Sequence, residues 1–175
     1  MRCFIAIDLN DMLKNKIRVL THSLEQINDG SLKIVKGHYH VTLAFLGEIS
    51  DEKAEQIKQG LESLDSGRFE IELKNVGVFK HKGKVRTIWV ACRGIPRLVT
   101  KQIDDITGEQ RKKPFQAHIT IARVKKKPPE SINTWLLEHK DYEIGKEDVK
   151  KIVLKRSKLQ SYGAQHTAMF EKHLN

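Results

Sequence analysis

The sequence predicts an α+β protein, and three observations carry that expectation. Stretches of alternating apolar residues are interleaved with segments of helical periodicity, and the connections between neighbouring strand candidates are short enough to favour antiparallel pairing. One five-residue pattern also occurs twice, as His40-Val41-Thr42-Leu43-Ala44 and His118-Ile119-Thr120-Ile121-Ala122. The expected organisation is a single domain over residues 1–175, with lobes roughly 1–80 and 81–175 that exchange terminal strands and each carry one copy of the pattern.

Read in order, the chain opens with a strand from Arg2 to Leu9. Asn10 is placed to cap a helix whose apolar stripe is Leu13, Ile17, Leu20, Leu24 and Ile27, and Asn28-Asp29-Gly30 ends it. Leu32 to Val35 reads as a short strand, and the first His/Thr strand runs to Ile49. Ser50 caps a second helix through Ala54, Ile57, Leu61 and Leu64, after which Arg68 to Phe79 resumes strand alternation. In the second half, Val85 to Cys92 is a strand and Pro96 suits the first turn of a helix carrying Leu98, Gln102, Ile103 and Ile106. The second His/Thr strand, a basic loop from Lys125 to Pro129 and a short helix over Ser131 to His139 follow. Strands around Val149 to Leu154 and Thr167 to Phe170 close the chain.

A chain of 175 residues can bury one substantial core. Its apolar runs, such as Phe4-Ile5-Ala6-Ile7, are too short to cross a bilayer, and the N-terminal stretch reaches Asp8 too soon for a secretion signal, so a cytoplasmic protein is expected. Cys3 and Cys92 have no redox or metal-ligand spacing and read as reduced core residues. The formal charge of +10 raises the local concentration of polyanions such as RNA, although lysine-rich surfaces of heat-adapted proteins produce the same balance.

The repeated pattern carries the chemistry. In an extended strand His and Thr share one face and the intervening apolar residues the other. Imidazole exchanges a proton near neutrality, so His40 and His118 across one cleft supply an acid and a base. Thr42 and Thr120 add hydroxyl donors suited to a phosphoryl oxygen, and Ala44 and Ala122 keep the same face low. Phe45 and Arg123 each follow their histidine by five residues, equivalent positions from which an aromatic ring and a guanidinium can sandwich a base. Strand parity turns both away from the histidines unless a bulge intervenes. Lys82, Lys84 and Arg86, with Arg111-Lys112-Lys113 and Lys125-Lys126-Lys127, supply candidate phosphate contacts. His38 and His40 alternate on one face, but no carboxylate or cysteine joins them at ligand spacing, so no metal is expected. His81, His139, His166 and His173 fit no pattern and receive no role.

These motifs resemble the paired His-x-Thr-x signatures of the two-histidine phosphoesterase superfamily. Within it they are similar to the RNA 2′,3′-cyclic phosphodiesterases, historically called 2′-5′ RNA ligases. The resemblance extends over Arg2 to Asp8, His40 to Glu48, Gly77-Val78-Phe79, Ile88-Trp89-Val90 and Ala117 to Arg123. It implies two pseudo-symmetric lobes, each an antiparallel sheet backed by helices, with the motif strands lining a central groove. It implies hydrolysis of RNA 2′,3′-cyclic phosphate ends to 2′-phosphates with no cofactor, one motif histidine as acid and the other as base, and Thr42 and Thr120 on the non-bridging oxygens; His40 is favoured as the acid and His118 as the base, and the near-symmetry of the two motifs leaves the opposite assignment open. The expected partner is RNA with such an end, tRNA or another small RNA, acted on by a monomer. Two further readings keep the site: another cyclic phosphate substrate or reversible 2′-5′ ligation, and a noncatalytic RNA-binding module.

Overall fold

A computed structural model describes residues 1–161 and 163–175. The elements are β1 (Arg2–Asp8), α1 (Asp11–Gln26), β2 (Leu32–Ile34), β3 (His40–Glu48), α2 (Asp51–Glu62), β4 (Phe69–His81), β5 (Lys84–Arg93), α3 (Arg97–Thr107), β6 (His118–Val124), α4 (Glu130–Glu138), β7 (Glu143–Val149), β8 (Lys151–Gln160) and β9 (Gly163–His173). The helix starts follow from their caps. The Asn10 side chain accepts from the Leu13 N–H and the Ser50 hydroxyl from the Lys53 N–H, while Gly108 at φ +75° closes α3 in the left-handed region.

The strands form two antiparallel sheets, β3-β1-β8-β9 and β2-β6-β5-β4-β7. The fold is therefore α+β, as the short connections between neighbouring strand candidates predict. A division of the chain near residue 80 does not describe these sheets. That position falls at the end of a hairpin within the second sheet, where Lys82 and Gly83, both at positive φ, join β4 to β5 in two residues. The late strands β8 and β9 flank β1, whereas the early strand β2 pairs with β6. The helices cross over too, with α1 against β7 and α3 against β3. Hydrogen-bond partners on both sheets thus come from opposite ends of the chain.

Two elements differ from the sequence reading. The single strand expected over Val149 to Leu154 is a junction: β7 ends at Val149 in one sheet and β8 begins at Lys151 in the other. β7 was invisible because only Ile144 and Val149 on it are buried and Gly145 contributes no side chain. On α3 the buried stripe is Val99 and Ile103, while Leu98 faces solvent. The core is continuous under both sheets, from Ile5 and Ile7 through Leu43 and Ile57 to Ile88, Ile121 and Ile152. Cys3 and Cys92 are buried free thiols, and burial pushes Cys92 up to about 12. No helix among the described residues is long and apolar enough to cross a membrane.

Candidate active site

The two motif strands are built alike to the level of a single irregularity. In β3 the register against β1 runs Ile5↔Ala44 then Ala6↔Thr42, so Leu43 is an extra residue; in β6 the register against β5 runs Ile88↔Ala122 then Trp89↔Thr120, so Ile121 is extra. A bulge at the same motif position flips the parity of the residues that follow directly, Ala44-Phe45 and Ala122-Arg123. The consequence reads directly in burial. From the histidine onward both strands run half-buried, buried, half-buried, buried, buried, exposed, half-buried. Ala44 and Ala122 therefore pack into the core, and the expectation that they floor the ligand face is corrected by the bulge. Phe45 and Arg123 are swung to the face that His and Thr occupy, and Phe45 is 68% exposed, which excludes a core role for its ring.

One cleft of about 570 Å³ between the sheets gathers His40, Thr42, Phe45, His118, Thr120 and Arg123. The imidazoles are held by the same device. His40 Nδ1 lies 2.9 Å from the His38 carbonyl and His118 Nδ1 lies 2.7 Å from the Gln116 carbonyl, each two residues upstream in the approach to the strand. A carbonyl only accepts, so Nδ1 carries the proton on both rings and Nε2 is the nitrogen left to exchange one with a ligand. Each ring also leans on aromatic neighbours. His40 lies 4.9 Å from Phe4, and His118 stands edge-on to Phe79 at 4.8 Å with Trp89 at 6.2 Å.

The electrostatic settings differ. Burial, then the nearby His166 and Lys155, push His40 down to about 4, against the opposing pull of Asp8 and the His38 carbonyl. His40 in the free protein is thus an uncharged ring at neutral pH. His166, from β9, stands edge-on to His40 at 5.4 Å, to His38 at 5.6 Å and to Phe4 at 4.9 Å. Burial, followed by His38 and Lys155, depresses it too, and its Nδ1 is buried without a hydrogen-bond partner. Among the described residues no three His, Cys, Asp or Glu converge as metal ligands.

The cleft also contains residues that sequence reasoning passed over. Arg2, Lys33, Lys36 and His166 all line it, and no carboxylate does among the described residues. For Lys33 and His166 the only signal in the sequence was membership of strands whose partners are distant: Lys33 reaches the cleft because β2 pairs with β6, and His166 because β9 follows β8 beside β1. Arg111, by contrast, is committed elsewhere. Its Nε donates to Asp104, its Nη2 donates to the Leu43 carbonyl at 2.7 Å, and its guanidinium covers Phe115 at 4.4 Å. The approach to the second motif is thereby fastened to the bulge of the first.

The architecture and sequence have close relatives. A model of the LigT-like phosphoesterases matches residues 7–89. The RNA 2′,3′-cyclic phosphodiesterase of Archaeoglobus fulgidus is 30% identical over 168 residues, covering 93% of this chain and 94% of that protein. The crystal structure of TT0787 of Thermus thermophilus superposes with a TM-score of 0.80 at 25% identity, over 99% of this chain and 98% of that one. Escherichia coli LigT complexed with 3′-AMP superposes at 0.75 and 23% identity, over 99% and 97%. With likeness running nearly end to end in both sequence and fold, this chain belongs to the LigT-like phosphoesterases, in the branch of the two-histidine superfamily made up of RNA 2′,3′-cyclic phosphodiesterases.

Proposed function

We propose that this cleft hydrolyses the 2′,3′-cyclic phosphate at an RNA end to a 2′-phosphate, using the two motif histidines and no metal. The observation that carries the reading is the matched pair of carbonyl-anchored imidazoles, each with a free Nε2 facing one cleft. His118 takes a proton from water as its oxygen attacks phosphorus. The P–O3′ bond breaks, and His40 gives its proton to the departing O3′. The Thr42 and Thr120 hydroxyls donate to the non-bridging oxygens as charge grows on them. Binding of 3′-AMP by the structurally similar Escherichia coli LigT supports a nucleotide in this cleft, with Phe45 and Arg123 closing on the base from the two walls.

The division of labour follows from proton affinity. A ring pushed down to about 4 is a poor acceptor for a proton from water. Once charged, the same ring is a strong donor to a basic alkoxide leaving group. His40 therefore suits the acid role, provided the bound phosphate anion supplies the counter-charge that lets it protonate. The test is turnover of a cyclic-phosphate-ended oligonucleotide in excess EDTA, with products identified by mass and by comparison with authentic 2′- and 3′-phosphates. His40→Ala and His118→Ala should each lose about 10²–10⁴-fold with circular dichroism unchanged. A 3′-phosphate product, recovery only on adding zinc or manganese, or a histidine variant at wild-type rate would defeat the reading. Tight binding without turnover would leave a noncatalytic RNA module in its place.

A further inference from the structure

Lys33 stands directly opposite Arg123 on the neighbouring strand, β2 against β6, and both side chains are exposed and line the cleft. Like charges placed opposite each other on adjacent strands repel and destabilise the pairing. No described residue relieves them. Neither residue has an ion-pair partner among the described residues, no carboxylate lines the cleft, and the next strand presents Thr87 opposite Arg123. Lys125, just past the end of β6, adds another cation on the diagonal of the same edge. Lys36, by contrast, is neutralised by Glu25 at 2.6 Å. An unrelieved cation pair facing a ligand cleft has the form of an anion site.

The anion is not the reacting phosphate. That group is met by His40, His118, Thr42 and Thr120, and Arg123 follows His118 by five residues, roughly 15 Å along an extended strand. We propose that Lys33 and Arg123 form a second phosphate subsite, which takes the phosphate on the 5′ side of the terminal nucleoside. The substrate class is then a polynucleotide end, or a nucleotide bearing a 5′-phosphate, in preference to a bare nucleoside cyclic phosphate. Arg123 can offer its planar face to the base and its N–H edge to this phosphate, while Lys33 supplies a point charge. This inference rests on the proposed placement of a nucleotide in the cleft.

A binding measurement separates the subsite from catalysis, because it needs no turnover. Affinities for a nucleoside 3′,5′-bisphosphate and the matching 3′-monophosphate are compared by calorimetry at low salt for the wild type, Lys33→Gln and Lys33→Arg. The wild type should prefer the bisphosphate by about tenfold, the worth of one charge-assisted contact. Lys33→Gln should abolish that preference while leaving monophosphate affinity unchanged, and Lys33→Arg should keep it. The bisphosphate should also show the steeper salt dependence in the wild type, and the two slopes should converge in Lys33→Gln. An undiminished preference in Lys33→Gln, or equal weakening of both ligands, overturns the subsite. Loss of turnover in the wild type with the binding pattern intact would instead refute the catalytic reading alone.

Discussion

Anion binding to the cleft should draw a proton onto His40. The ring begins at about 4, so at pH 6 only about one molecule in a hundred carries the charged form. A negative charge settling about 4 Å from Nε2 favours the charged ring by about 4 kcal/mol at an effective dielectric near 20. That is about a thousandfold in proton affinity, enough to carry the ring past its midpoint. Sulfate is the suitable probe because it does not itself titrate near pH 6. Calorimetric binding of sulfate to a His118→Gln protein, in two buffers of different ionisation enthalpy, counts the protons taken up without a contribution from the second imidazole. The expected count is close to one proton per anion, falling to near zero when His40→Gln is added. Heats independent of the buffer would show that His40 stays neutral beside its ligand, and the acid role assigned to it would fail.

Three further outcomes follow from the same geometry. A substrate whose leaving group needs no proton, such as a phenolic ester, should rescue His40→Ala far more than His118→Ala; rescue of His118→Ala instead would exchange the two roles. Because folding lowers His40 from its ordinary 6.5 to about 4, the unfolded chain binds more protons between those values, and stability falls as pH drops through that window. Urea denaturation should show about 2 to 3 kcal/mol lost between pH 7 and pH 4.5, and a His40→Phe protein that shows the same loss would assign it to other groups. Arg111→Ala strands the half-buried Asp104 carboxylate and removes the donor to the Leu43 carbonyl, at a cost of about 2 kcal/mol in urea denaturation. A loss below about 0.5 kcal/mol would mean that solvent replaces both contacts.

The motif histidines and threonines were legible because period-two alternation places them on one face without any tertiary information. Phe45 and Arg123 were legible only as equivalent positions. Their orientation hung on a bulge, and a bulge is a fact about the partner strand: Leu43 is supernumerary only when Ala6 meets Thr42 and Ile5 meets Ala44. The same limit hid Lys33 and His166, whose places in the cleft are set by pairings with residues far away in sequence. The unequal settings of the two imidazoles lay beyond sequence as well. His40 faces Asp8 across the ladder and stands edge-on to His166 of the same sheet at 5.4 Å, whereas the residue opposite His118 is Ala91.

The placement of β8 and β9 beside β1 also governs when a newly made chain becomes competent. The first sheet has β1 and β3 early, yet β8 begins at Lys151, long after β3 ends at Glu48. Until that segment emerges from the ribosome, one edge of β1 is an unpaired ladder with apolar residues on both faces, a template for association with other chains. The long loop that must close before this pairing forms makes folding slow relative to a protein of local contacts. Chaperone dependence during synthesis should therefore fall sharply once β8 is available, and no fragment that stops before β8 should shelter His40 or hold it uncharged.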